Sequence, residues 1–256
     1  MPANQQPIPN QLRPPLLLLA VLLSACTPGA QLVPEPGVVP LLPVPTVRAR
    51  MVQLALDEWQ LFGQARWQPS EKGPQLLRNE PAPNEATRLS RVMLYWYAAT
   101  DKPLFGHRGE LRAWSAAFLT WLARSSGMTV AQWPASVLHW DAMALALDAP
   151  KDARFIAKDR GAHAPQPGDV LCAPRATAED QQFAETVRDL ATLRRGAHHC
   201  ELVVAVEAGK LQTIGGNVQD TVARSEFDCD AQGHVQPTRE RPWVLVLVQQ
   251  DQPWPR

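Results

Sequence analysis

Apolar residues recur at helical spacing in four stretches of the chain and at strand spacing after them. In Arg48–Gly63, the residues Met51, Leu54, Ala55, Trp59 and Phe62 fall on one face of a 3.6-residue period, and Gly63 supplies a stop. A second helix is predicted over Asn84–Thr100, with Asn84 as cap and Leu89, Val92, Met93, Trp96 and Tyr97 on one side. A third covers Arg112–Gly127, with Trp114, Ala117, Phe118, Trp121 and Leu122 as its stripe, and a fourth starts near Ser136 and runs to Leu147. Past Pro165 the pattern changes. Gln166–Asp169 reads as a turn into a short strand, Cys200–Asn217 as two strands joined by a tight turn, and Arg241–Gln250 as a final strand. The polar stretch 178–196 is a surface helix or a long loop. Helices followed by a small antiparallel sheet predict an α+β domain.

Ahead of the first helix the periodicity disappears. Pro28, Pro34, Pro36, Pro40, Pro43 and Pro45, with almost no charge between them, exclude helix and central strand and predict an extended tether, with a reach of roughly 3 Å per residue. Before the tether, Arg13 precedes "PPLLLLAVLLSAC", an apolar run too short to span a bilayer comfortably and ending in small residues, as secretory signals do. Its last four residues, Leu23–Cys26, resemble the bacterial lipobox. That resemblance implies residues 1–25 as a signal peptide, Cys26 as an acylated anchor to the membrane, 26–47 as the tether and 48–251 as the folded domain. Thr27 after the cysteine implies the outer membrane, facing the periplasm.

Composition narrows the chemistry. The 256 residues carry 25 basic and 25 acidic side chains, so no surface for a polyanion is indicated and nucleic acid is not expected as a partner. With Cys26 assigned to the anchor, Cys172, Cys200 and Cys229 remain in a secreted chain, which predicts one disulfide and one free thiol. Cys172–Cys200 is favoured because the two lie in predicted neighbouring strands; Cys200–Cys229 is the alternative. His198, His199 and Cys200 are adjacent rather than spaced for chelation, so neither a metal nor a cofactor is expected.

If Glu207-Ala208-Gly209 form a three-residue loop, Val206 pairs with Lys210 and His199 faces Asn217. Paired residues share a face of the sheet, so a carboxamide could orient the imidazole for a nucleophile. A two-residue loop would instead place His199 opposite Val218. Neighbouring His198 points to the opposite face, which predicts that one of the two is exposed. The candidate nucleophile is Ser115, near the start of the third helix, where the macrodipole favours a developing negative charge. A small polar residue beside a helix cap is the plainer reading of Ser115. His139, on the apolar fourth helix, is either packed or lines the same cleft.

The segments "AWSAAFLTWLARSSG", "QPGDVLC", "HCELVVAV" and "IGGN" resemble, in order and spacing, the papain-like peptidoglycan hydrolases of the CHAP and NlpC/P60 type. Taken with "HRGELRAWSAAF" and "APQPGDVLCAPR", they are similar to the bacterial domain-of-unknown-function family 2272 over roughly His107–Val248. The resemblance implies a papain-like fold, with Ser115 in the place of the nucleophilic cysteine, His199 as general base and Asn217 as orienting residue. Asp169 matches a structural turn aspartate, and Trp114, His139 and Asp169 are candidates for the cleft wall. Two departures stand out: serine replaces cysteine, and Gly215 stands where an acidic residue often precedes the asparagine. An alkoxide cannot be stored as a thiolate can. Two expectations follow, an amide-bond hydrolase acting on peptidoglycan peptides or a similar substrate, and a catalytically silent envelope-binding lipoprotein using the same cleft.

Overall fold

The computed structural model describes residues 45–68, 73–150, 152–175 and 185–250. The expectations for the signal peptide, for Cys26 and for all but the last residues of the tether lie outside that set. Helix α1 (Val47–Leu61) begins where the proline-rich run ends, with Thr46 Oγ1 accepting from the Ala49 amide at 3.1 Å. Asn84 caps α2 (Glu85–Ala99) as expected, accepting from Thr87 N at 2.9 Å. The buried side of α2 differs from the expected stripe: Val92, Tyr95, Trp96 and Ala99 are inside, whereas Met93 and Tyr97 are exposed. The cause is polar. Glu58 of α1 is buried and takes hydrogen bonds from Tyr95 and Arg91, which turns that side of α2 inward.

Helix α3 (Ser115–Ser125) is the inner helix, buried on nearly every side and packed against α1, α2 and the sheet. Helix α4 is shorter than expected, His139–Leu147, because Ser136 holds the Leu138 amide and Asp141 with its hydroxyl ahead of the first turn. Of the polar stretch 178–196, the described part from residue 187 onward is irregular.

Among the described residues, the expected small antiparallel sheet is a single mixed sheet of eight strands. These are β1 (Ala65–Gln68), β2 (Gln75–Leu77), β3 (Phe155–Asp159), β4 (Val170–Pro174), β5 (His198–Glu207), β6 (Lys210–Val218), β7 (Thr221–Asp228) and β8 (Leu245–Gln249), in the order β2-β1-β7-β6-β5-β4-β8-β3. The β1–β7 pair is parallel and the other pairs are antiparallel. One face, with Cys172, Cys200, Leu202, Ile214 and Leu247, shares the main core with the helices. The other, with Leu171, Val203, Ala223 and Val246, forms a smaller core closed by Trp67, Val235 and Trp243. Both faces are covered, which is why β8 reads as an unbroken apolar run.

Cys172 and Cys200 are directly paired between β4 and β5 and joined by a disulfide, with 4.2 Å between their Cα atoms. Cys229 is a free, half-buried thiol whose pKa is raised by burial and by Asp230 and Asp228. Among the described residues no helix is long and apolar enough to cross a membrane.

The β5–β6 loop is shorter than the three-residue guess. Glu207 pairs with Lys210, leaving Ala208 and Gly209 at the tip with φ of 48° and 77°, the left-handed pair that a two-residue hairpin turn needs. A bulge between Val203 and Ala205 then inserts one residue in β5, so that Val203 faces Thr213 and Leu202 faces Ile214. Beyond the bulge the offset is therefore the one the longer loop would have produced.

Candidate active site

Ser115 is the first residue of α3. The residue before it, Trp114, provides no side-chain cap, and the helix opens with the bond from Phe118 N to Trp114 O. The amides of Ser115, Ala116 and Ala117 therefore have no carbonyl to bind within the helix, and its positive end faces the serine hydroxyl. Ser115 Oγ lies 2.8 Å from Nε2 of His139, the first residue of α4. The plainer reading of Ser115 as a small residue at the helix start describes its backbone; its hydroxyl makes a directed contact with an imidazole.

His139 is buried, and its pKa lies well below 6.5. Burial is the main cause, and the positive charges that His199, His198 and Arg175 can bring act the same way, with Glu201 opposing them. At neutral pH the ring is uncharged. With Nδ1 protonated, Nε2 is free to accept the serine proton, as a general base must.

His199 packs edge-on against His139, with 5.7 Å between ring centres. Its Nε2 bonds Glu201 Oε1 at 3.0 Å. The two side chains are two residues apart on β5 and so share a face. Glu201 is fully buried and is also held by Arg241 Nε at 3.0 Å and by the Thr213 hydroxyl at 2.5 Å. Burial alone would raise its pKa, but Arg241, His199 and Thr213 outweigh that and hold it at about 2. Burial lowers the pKa of His199, and the bond to Glu201 works against it. Neither histidine is the exposed one that strand alternation predicted: His198 is buried, with Nδ1 3.0 Å from Gly196 O and its ring stacked on Trp140, and the His199 side chain is only 13% exposed.

The sequence-derived site is thus only partly assembled. Ser115 and His199 flank His139, which the sequence placed at the edge of the cleft and the structure places at its centre. The polar partner of His199 is Glu201 rather than Asn217. Asn217, the next-to-last residue of β6, is in a left-handed conformation, φ 57°, beside a register shift between β6 and β7. Trp114 is wholly buried against Phe62 and Tyr95 and lines no cleft. Asp169 is buried in a separate network, bonded to the amides of Gln166 and Gln249 and to His163 and Arg48, which fastens its turn to β8 and α1. Two signals could have found what was missed. The His-x-Glu alternation on β5 points to Glu201, and the apolar helix carrying His139 leaves an unexplained polar group next to the core. Among the described residues no set of His, Cys, Asp or Glu side chains is grouped to hold a metal ion.

An α+β domain with a serine–histidine pair at the head of its innermost helix, backed by a histidine–glutamate pair on the sheet, is the class that this geometry defines. The chain belongs to the family described as "Uncharacterized protein conserved in bacteria (DUF2272)", whose model matches residues 85–248, from α2 to β8. No curated protein and no solved structure matches it.

Proposed function

We propose that the chain is an envelope lipoprotein, anchored through Cys26 and directed to the outer membrane on its periplasmic side, whose domain is a papain-like hydrolase of amide bonds in peptidoglycan peptides or a similar substrate. The observation that carries the reading is the 2.8 Å contact between Ser115 Oγ and the uncharged ring of His139 at the start of α3. Ser115 attacks the scissile carbonyl while His139 Nε2 takes its proton. The first-turn amides of α3 stabilise the oxyanion. The protonated His139 then delivers that proton to the leaving amine, and a water, deprotonated by the same ring, releases the acyl group and restores Ser115. This moves the role of base from His199 to His139 and leaves the His199–Glu201 pair to hold the imidazole from behind. Support for the papain-like arrangement is the order of its parts: a nucleophile heading a helix that packs on the sheet, and a histidine opening the strand beneath it.

The test uses the full chain in detergent, exposed to a fluorophosphonate probe and to purified peptidoglycan, beside Ser115→Ala, Ser115→Cys and His139→Ala. Covalent labelling at Ser115 and release of new amines are expected from the parent, neither from Ser115→Ala, and a rate lower by roughly 10²–10⁴ from His139→Ala. Peptidoglycan binding retained by all variants, with no labelling and no amine release, would leave the binding lipoprotein in its place.

A further inference from the structure

Away from Ser115, two cations stand side by side where strands β1 and β7 run parallel. Arg66 and Arg224 are direct Cα partners, so their side chains leave the same face of adjacent strands, roughly 4.8 Å apart at the backbone. Like charges so placed repel one another, and the surroundings offset this only in part. Arg224 lies over the Trp59 ring of α1, 4.3 Å from its centre. Burial, and next the charge of Arg66, lower the pKa of Arg224, with Glu226 acting in the other direction. The Arg66 guanidinium reaches Asn79 Oδ1 through Nη2 at 3.5 Å, the limit of a hydrogen bond, and its Nε is buried with no partner. Beside the pair opens a recess of about 320 Å³, lined by Arg66, Trp67, Gln68, Arg224, Ser225 and Glu226. Glu226 is the acidic group at its edge, and it is engaged by Lys210 at 4.0 Å and by Gln212 at 3.4 Å.

We propose that Arg66 and Arg224 form an oxyanion-binding site that takes a carboxylate or phosphate group in this recess. A guanidinium presents its donors in a planar fork that matches two oxygens of such a group. An oxyanion between the two forks neutralises the repulsion between the pair. Neither residue belongs to the Ser115–His139 or the His199–Glu201 pair, so the site stands whether or not Ser115 reacts.

The experiment follows the arginine Nε–H signals of the full, isotope-labelled chain in detergent while anion is added at constant ionic strength. One arm uses inorganic phosphate; the other uses a short peptide with a free terminal carboxylate beside its amidated form. The expected result is a saturable shift of the Arg66 Nε–H signal in at least one arm. The responding arm identifies the source of the anion, and the amidated peptide gives no response. Arg224→Gln should weaken the response at least tenfold, and Glu226→Gln, which removes the one carboxylate that lines the recess among the described residues, should strengthen it. The Glu226→Gln arm keeps the test decisive if Arg224→Gln does not fold. Absence of a saturable shift in both arms, or a response unchanged in both variants, overturns the proposal.

Discussion

A carboxylate with no exposed surface has to be matched by donors, and Glu201 has three: His199, Arg241 and Thr213. The set closes only while the glutamate is charged, because Arg241 is never neutral and would otherwise be left as a nearly buried cation. Glu201→Gln keeps the shape and removes the charge. Breaking a buried pair on one side costs about 3–5 kcal/mol, and the expected outcome is a loss of that order in urea unfolding. A loss below about 1 kcal/mol would mean that solvent reaches the pair and that Glu201 does not fix His199. The same substitution tests the two histidines separately. If His199 only backs His139, labelling of Ser115 should fall less in Glu201→Gln than in His139→Ala.

The motif Ile214-Gly215-Gly216-Asn217 shows how one element of β6 serves both faces of the sheet. A Cβ on Gly215 would lie 2.8 Å from the Glu201 side chain, and one on Gly216 would lie 2.5 Å from Phe118. The first glycine therefore makes room for the buried carboxylate, and the second lets α3 settle on the strand. Gly216→Ala should push Phe118, and Ser115 three residues ahead of it, off the sheet. The expected cost is roughly 1–3 kcal/mol of stability, with slower labelling of Ser115, read by urea unfolding and probe kinetics on one sample. Unchanged stability would mean that α3 shifts freely.

The same element explains which parts of the fold were legible. The amphipathic helices and the two strands of the hairpin follow from spacing, and the Cys172–Cys200 pairing, favoured over Cys200–Cys229, follows from the neighbouring strands that carry the two cysteines. Strands β1, β2 and β3 are too short to show a period, and in β7 the polar run Arg224-Ser225-Glu226 separates the apolar Val222 and Ala223 from Phe227. The Ser115–His139 contact joins residues 24 apart on two helices, and no local pattern encodes how those helices cross.

At the scale of the whole domain, three histidines and one glutamate around the site, all buried or nearly so, have their pKa values displaced downward, and this sets how stability must depend on pH. His139, His198 and His199 each titrate below 6.5 when folded, chiefly because burial disfavours the charged ring. The unfolded chain therefore binds more protons than the folded one once the pH falls below about 6.5, and by linkage stability is lost there. Above that value their contribution is fully present. Glu201 adds a second step: its folded value of about 2 lies under the ordinary 4.5, so its stabilisation holds above 4.5 and drains away as the pH falls toward 2. The urea midpoint, measured at constant ionic strength from about pH 8 to about pH 3, should be flat at the alkaline end, decline through about pH 6, and decline again below about pH 4.5. His139→Gln should make the first decline shallower and leave the second, whereas Glu201→Gln should make the second shallower. A midpoint that stays level from pH 8 to pH 5 would contradict the burial of uncharged imidazoles around Ser115, and with it the assignment of His139 as a base ready at neutral pH.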